Sequence, residues 1–200
     1  WNGMGSAKFL AALLKKGVKV RYAEQPFSAQ GINFEKGTLI ITRTSNTSFG
    51  NTLEEIIKEV AQSSGQRYFP LQSGFVEKGF DFGSDRVRII HAPKITLLAG
   101  EGVSSLGMGE IWHFFDAQLN YPINIVWVND LNKNVLKETD VLIMPDGNYR
   151  FLSDKPTSEI LKDWVSSGGK IIAIENAVSQ LARNDWGIKS KTTDDKKDEK

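Results

Sequence analysis

The sequence predicts an α/β fold in which helices cover both faces of a mostly parallel central sheet. From Lys94 onward, short apolar runs alternate with segments of helical periodicity. The runs are rich in Val, Ile and Leu, which is typical of strands that are buried on both faces. Strands that alternate with helices pair in parallel through right-handed crossovers, and such sheets bind ligands at the carboxyl ends of their strands.

The N-terminal half predicts two amphipathic helices and three strands. Apolar residues recur at helical spacing over 6–16 and 51–64, and a glycine that can end a helix follows each segment, at Gly17 and Gly65. Alternating or β-branched residues predict strands over 18–23, 38–42 and 87–92. The segment 38–42 is apolar enough for a central strand. We expect residues 1–93 to add flanking strands and helices to the parallel sheet.

The C-terminal half predicts a regular alternation of strands and helices. Strands are expected over 94–100, 123–128, 141–145 and 170–174, and helices over 103–119, over 157–167 and from 178 onward. Length and apolar content suit one domain over 1–190, with the regular core over 94–190. The tail 191–200 is charged and unpatterned, so we expect it to be mobile.

Composition limits the classes of partner and chemistry. The chain carries 25 Lys and Arg against 24 Asp and Glu, so its net charge of +1 favours neither nucleic acid nor an anionic membrane. It has no cysteine, which excludes disulfides, a thiolate nucleophile and cysteine metal sites. Its first residues lack the basic region, apolar segment and small-residue cleavage site of a signal peptide. Because the chain begins at Trp1 without methionine, we expect a fragment whose export signal, if any, lies upstream.

Candidate site residues follow the predicted strands of the C-terminal half. They are Gly100, Glu101, Gly102, Ser104 and Ser105 after the first strand, Asn129 and Asp130 after the second, Asp146, Gly147 and Asn148 after the third, and Glu175 and Asn176 after the last. The last pair occupies a sharp turn from strand to helix, where hydrolytic enzymes carry an exposed nucleophile. The Glu175 carboxylate is either such a group or a cap for the following helix.

Two other motifs suggest ligands. The glycines over 100–109 could cradle a phosphate at a helix N-terminus, with Asp130 as a ribose-binding acid, although their spacing departs from G-x-G-x-x-G. His113 and Asp116 match a metal-binding spacing, but no third ligand is recognisable, so His113 is expected beside the core or at a helix edge. The other histidine, His91, follows no strand end of the predicted core.

Two features of the N-terminal half carry weaker hypotheses. The aromatic loop 75–82, with Phe75, Phe80 and Phe82, is either a binding surface or a cover for a sheet edge. Asn46 begins a glycosylation sequon, which matters only in a eukaryotic secreted protein.

Two motifs of the C-terminal half resemble the class I glutamine amidotransferase-like superfamily, which has a three-layer flavodoxin-like fold. In that family a strand ending in P-G-G precedes an elbow of the type A-I-C-H-G-P-Q-L-L-A. Pro145, Asp146 and Gly147 match the first motif, and AIENAVSQLA over 173–182 matches the second. Glu175 replaces the cysteine and Asn176 replaces the histidine. The resemblance therefore implies the fold without amidotransferase or thiol-hydrolase activity.

A narrower resemblance covers nearly the whole chain. Five segments resemble the C-terminal amidotransferase-like domain of large bacterial zinc carboxypeptidases of the carboxypeptidase A type. They are GSAKFLAALLKKGVKVRYAEQPF, GTLIITR, KITLLAGEGVSSLGMGEIWHFFDAQLNYP, DVLIMPDG and DWVSSGGKIIAIENAV. The resemblance implies a secreted or periplasmic hydrolase whose zinc site lies in an upstream peptidase domain. That site would consist of H-x-x-E, a later histidine and a glutamate base. No catalytic residue or cofactor is expected in this chain.

Three hypotheses follow. The first is a catalytically silent accessory domain whose partner is the upstream peptidase domain. The second is a small hydrolytic or ligand-binding domain that uses Glu175 with Glu101 or Asp146, in which convergence of Glu101 and Glu175 would perturb their titration. The third is a nucleotide-binding domain that uses the loop 100–109.

Overall fold

The computed structural model describes residues 3–184 and 186–189, so the tail 191–200 that we expect to be mobile lies outside the described residues. The chain divides into two compact units, where the sequence predicts a single domain over 1–190. One unit comprises Trp1–Ala92 with Asp116–Tyr121, and the other comprises Pro93–Phe115 with Pro122–Lys200. Within the described residues, every helix is too short or too polar to span a bilayer.

Two helices, α1 (Gly3–Lys15) and α2 (Thr52–Ser64), pack against each other in the N-terminal unit. Each is followed by the predicted glycine, and Gly17 (φ 79°) and Gly65 (φ 66°) adopt the left-handed conformation that glycine tolerates best. The core between them consists of buried side chains, namely Phe9, Leu13, Val18, Val20, Leu53, Val60 and Ala61.

Two antiparallel sheets complete this unit. β1 (Val20–Ala23) precedes a hairpin of β2 (Phe27–Ala29) and β3 (Ile32–Phe34), which is not among the predicted elements. The turn of the hairpin places Gln30 and Gly31 at positive φ, as two-residue hairpins require. β1 is the middle strand of the second sheet, between β4 (Leu39–Ile40) and β5 (Val87–Ile90).

Two sequence predictions about these strands are wrong. The segment 38–42, expected to be a central strand, forms only the short edge strand β4. The strands of residues 1–93 were expected to extend the parallel sheet, but they pair among themselves. β1 pairs antiparallel with both β4 and β5, and antiparallel neighbours need no crossover helix between them. The hydrogen bonds between these strands therefore lie within two separate sheets.

The C-terminal unit contains a sheet of four parallel strands. β6 (Ile95–Ala99) lies between β7 (Asn124–Trp127) and β8 (Val141–Met144), and β9 (Lys170–Ala173) pairs with β8. Counted along the chain, the strand order is 2-1-3-4, which agrees with the start of a flavodoxin-like sheet. Every residue of β6 is buried, which explains why its sequence is apolar without alternation.

The helices described in this unit are α3 (Ser105–His113), α4 (Lys133–Lys137), α5 (Lys155–Ser166) and α6 (Asn176–Arg183). α3 is shorter than the helix predicted over 103–119 because the backbone becomes π-helical over Phe114–Leu119. α4, α5 and α6 cover one face of the sheet and build the largest core with it. That core contains Leu98, Leu131, Leu136, Leu142, Met144, Tyr149, Leu152, Leu161, Ala177 and Leu181.

Candidate functional site

The predicted site residues lie at the carboxyl edge of the parallel sheet, in the C-terminal unit, on loops and at the start of α6. Gly100, Glu101, Gly102 and Ser104 follow β6, Asp146, Gly147 and Asn148 follow β8, and Glu175 and Asn176 follow β9. Asn129 and Asp130 lie in a 3-10 turn after β7. The edge therefore holds the candidate residues of four separate loops.

The loops after β6 and β8 are joined by backbone hydrogen bonds. The N–H of Ser104 donates to the carbonyl oxygen of Asp146 (2.8 Å), and the N–H of Asn148 donates to that of Gly102 (2.7 Å). Flavodoxin-like sheets bind ligands between these two strands, where the strand order reverses. In this chain the two loops close that crevice with their own backbone.

Glycines permit this close approach. A Cβ on Gly147 would lie 2.6 Å from the carbonyl oxygen of Gly102, and a Cβ on Gly102 would lie 2.5 Å from that of Asn148. Any other residue at these positions would push the loops apart. Gly100, at φ 101°, similarly accommodates the ring of Trp127. Backbone and ring packing thus explains these glycines without a phosphate.

Several N–H groups of the loop 100–109 are already bonded within the chain. Val103 donates to the carbonyl oxygen of Gly100 (3.1 Å), and Ser104 donates to Asp146. The hydroxyl oxygen of Ser104 caps α3 by accepting from the N–H of Gly107 (3.3 Å). A phosphate cradle needs such donors to point at the ligand. The geometry therefore does not favour the nucleotide hypothesis.

The turn from β9 into α6 has a strained backbone at Glu175. Its φ of 51° and ψ of −117° lie in a region that residues with a side chain rarely adopt, at a cost of about 1–3 kcal/mol. The Glu175 side chain is exposed and makes no capping hydrogen bond to α6. Capping through backbone donors is therefore wrong, whereas Glu175 does stand at the N-terminus of α6, where a negative charge interacts favourably with the helix dipole. The backbone keeps the sharp elbow that exposes a nucleophile in hydrolytic enzymes.

The N–H that follows the elbow is bonded to a carboxylate. Asn176 donates its backbone N–H to Oδ1 of Asp146 over 3.2 Å. In acyl transfer an N–H at this position would stabilise the negative oxygen of the tetrahedral intermediate. Asp146 places a negative charge where that oxygen would develop.

Two residues outside the predicted site hold the edge together. Gln180, only 6% exposed, accepts from the N–H of Tyr149 (2.7 Å) and donates to the carbonyl oxygen of Gly147 (2.6 Å). The buried hydroxyl of Tyr149 donates to the carbonyl oxygen of Pro145 (2.8 Å). Burial raises the pKa of Tyr149 above its ordinary range, and the negative charge of Asp146 raises it further. The spacing of Gln180 four residues after Asn176 is the one sequence signal that could have found it.

The acidic residues at the edge have separate partners. Glu101 forms an ion pair with Arg150 (Oε1 to Nη1, 3.9 Å), whereas Asp146 bonds the backbone of Asn176. Among residues 3–184 and 186–189, no three His, Asp or Glu side chains are grouped to hold a metal ion. His91 and His113 are exposed, and His113 is the last residue of α3, so it does not lie beside the core.

The burial of side chains in the N-terminal unit bears on the glycosylation sequon at Asn46 and on the aromatic loop 75–82. The amide of Asn46 is 2% exposed, donates to the carbonyl oxygens of Lys19 and Thr42, and accepts from the N–H of Lys19, so it is not available for glycosylation. In the aromatic loop, Phe82 packs edge-on against Phe27. Phe75 is 80% exposed. The loop therefore both covers the small sheet and exposes an aromatic ring.

No known protein family, curated protein or solved structure matches this chain. The architecture established for the C-terminal unit is α/β with four parallel strands, compatible with a flavodoxin-like fold.

Proposed function

We propose that this chain is a non-catalytic domain of the class I glutamine amidotransferase-like type that accompanies a secreted or periplasmic bacterial zinc carboxypeptidase. The elbow at Glu175 carries the proposal, because it keeps the strained backbone of a nucleophile position without a nucleophilic thiol or hydroxyl. The strand order and the long segments of sequence resemblance support it.

The bonding of Asp146 supports a silent elbow. Acyl transfer needs N–H groups that are free to meet a developing oxyanion. The Asn176 N–H already meets a carboxylate, and an oxyanion at the same place would be repelled by it. The loops after β6 and β8 are also hydrogen-bonded to each other at the point where a flavodoxin-like sheet would take a ligand.

The proposal assigns the zinc chemistry to the upstream domain. Catalytic zinc needs three protein ligands, and the described residues provide no such group. The residues present therefore do not fit that metal. The domain would serve the peptidase as an interaction, orientation or stability module.

The absence of catalytic activity is tested with the purified chain and two matched variants. Glu175→Gln removes the elbow carboxylate, and Glu159→Gln makes the same charge change on the exposed side of α5. We expect no hydrolysis of amide or ester substrates above buffer for any of the three proteins. Turnover that Glu175→Gln abolishes and Glu159→Gln retains would overturn the proposal. That result would favour the alternative in which Glu175 works with Glu101 or Asp146.

The peptidase assignment is tested on the longer chain. We expect upstream sequence with H-x-x-E and a later histidine, and carboxypeptidase activity that a chelator removes and Glu175→Gln leaves unchanged. An upstream sequence without that zinc signature would make the assignment wrong, whatever the elbow does.

A further inference from the structure

A polar cavity lies beside the elbow in the C-terminal unit. Its volume is about 490 Å³, and it opens between α6 and the segment that follows β8. The α6 side contributes Asn176, Gln180, Arg183 and Asn184. These positions follow the i, i+4, i+7, i+8 spacing of one helix face, so α6 turns a polar face to this cavity.

The charged side chains among the described lining residues of the cavity are both arginines. Arg150 and Arg183 line it from opposite sides, and no Asp or Glu is among its described lining residues. Arg150 has one acidic neighbour, Glu101, at 3.9 Å, but both side chains are more than 70% exposed. Such exposed pairs contribute little, so Arg150 can exchange this partner for a ligand.

The two walls are held at a fixed spacing. Gln180 forms the link, because its buried amide bonds Gly147 and Tyr149 on one wall while its backbone belongs to α6 on the other. On α6, Nε of Arg183 donates to the carbonyl oxygen of Ser179 (3.3 Å), which leaves the two terminal nitrogens of the guanidinium as a fork. Fixed walls reduce the entropy that is lost when a ligand binds, and the remaining cost is that of ordering the exposed Arg150 side chain.

We propose that this cavity binds a small carboxylate ligand that also carries an amide, of the class of N-acylated amino acids. A guanidinium group binds a carboxylate through two parallel hydrogen bonds. The exposed carboxamide of Asn148 can donate to and accept from the amide of the ligand. Nδ2 of Asn176 already donates to the carbonyl oxygen of Gly147 (2.9 Å), so Asn176 offers its Oδ1 as an acceptor. The volume lies in the range of small-molecule sites, about 300–1,000 Å³, and the polar lining favours a polar ligand. This proposal holds whether or not Glu175 is a catalytic residue.

The test is an NMR titration of the whole chain with N-acetylglycine, with N-acetylglycinamide as the uncharged control. We expect saturable amide shifts at Asn148, Arg150 and Arg183 with the acid at millimolar concentration, and none with the amide. Inorganic phosphate forms a third arm. Tighter binding of phosphate than of N-acetylglycine would overturn the carboxylate assignment.

Variants locate the site. Arg150→Gln and Arg183→Gln should each weaken binding of N-acetylglycine about tenfold, since a charged hydrogen-bonding partner is lost. The matched control is Arg43→Gln, which removes the same charge from an exposed position in the other unit. Arg150 is 89% exposed, so its variant keeps the fold even if Arg183→Gln does not. Absence of saturable shifts, or equal affinity in the two cavity variants and the control, would overturn the proposal.

Discussion

Replacing Glu175 with glycine should stabilise the protein. The residue is held at φ 51° and ψ −117°, where the Cβ atom is strained by about 1–3 kcal/mol. Glycine removes that strain. Its greater conformational freedom in the unfolded chain lowers the free energy of unfolding by about 0.4–1 kcal/mol, which offsets part of the gain. No side-chain cap is lost, because Glu175 makes none. We therefore expect the free energy of unfolding to rise by about 1 kcal/mol, or Tm to rise by about 2–4 °C for a chain of this length.

Urea unfolding followed by tryptophan fluorescence and circular dichroism measures this change. The two probes should be compared, because a chain with two compact units need not unfold in one step. Glu175→Ala is the control, since it removes the carboxylate but keeps the Cβ atom. We expect it to lie within about 0.5 kcal/mol of the unchanged protein. If the glycine variant is no more stable than the alanine variant, the elbow is not strained and the reasoning fails.

Two further predictions concern the groups around the elbow. Gln180→Leu should lower the free energy of unfolding by about 2 kcal/mol in urea, because it leaves the buried N–H of Tyr149 without its acceptor; a loss below about 0.5 kcal/mol would show that the link is dispensable. Glu175→Cys places the only thiol of the chain at the elbow. Adding Asp146→Asn to that variant should speed its alkylation by iodoacetamide at neutral pH, because removing the negative charge favours the thiolate. Equal rates in the two cysteine variants would show that Asp146 does not control the charge at the elbow.

The parallel strands could be predicted because each is a short apolar run between helical segments. β6 and β8 are buried along nearly their whole length, so burial and sequence pattern agree. The hairpin of β2 and β3 escaped prediction because its strands have three residues each, too few to establish a period. Its signal is the pair Gln30-Gly31, and only the glycine of that pair favours a turn at positive φ.

The membership of the sheets could not be predicted from the pattern. β1 belongs to the alternating segment VKVRYA over 18–23, and nothing in that pattern names β4 and β5 as its antiparallel neighbours. A strand pattern specifies which face is buried but not which neighbour supplies its hydrogen bonds. The same limit applies to Arg150 and Arg183, which lie 33 residues apart and line one cavity.

The sequence by itself determined the chemical inventory and the place of the elbow. A chain without cysteine has no thiol to act there, and a strand followed directly by a helix puts Glu175 at the turn. Only the tertiary structure decided what surrounds that turn. Asp146 reaches the N–H of Asn176 across 30 residues of sequence, and Gly102 meets the loop of Gly147 across 45. These contacts depend on the order and register of β6, β8 and β9, because parallel strands bring distant loops together at one edge.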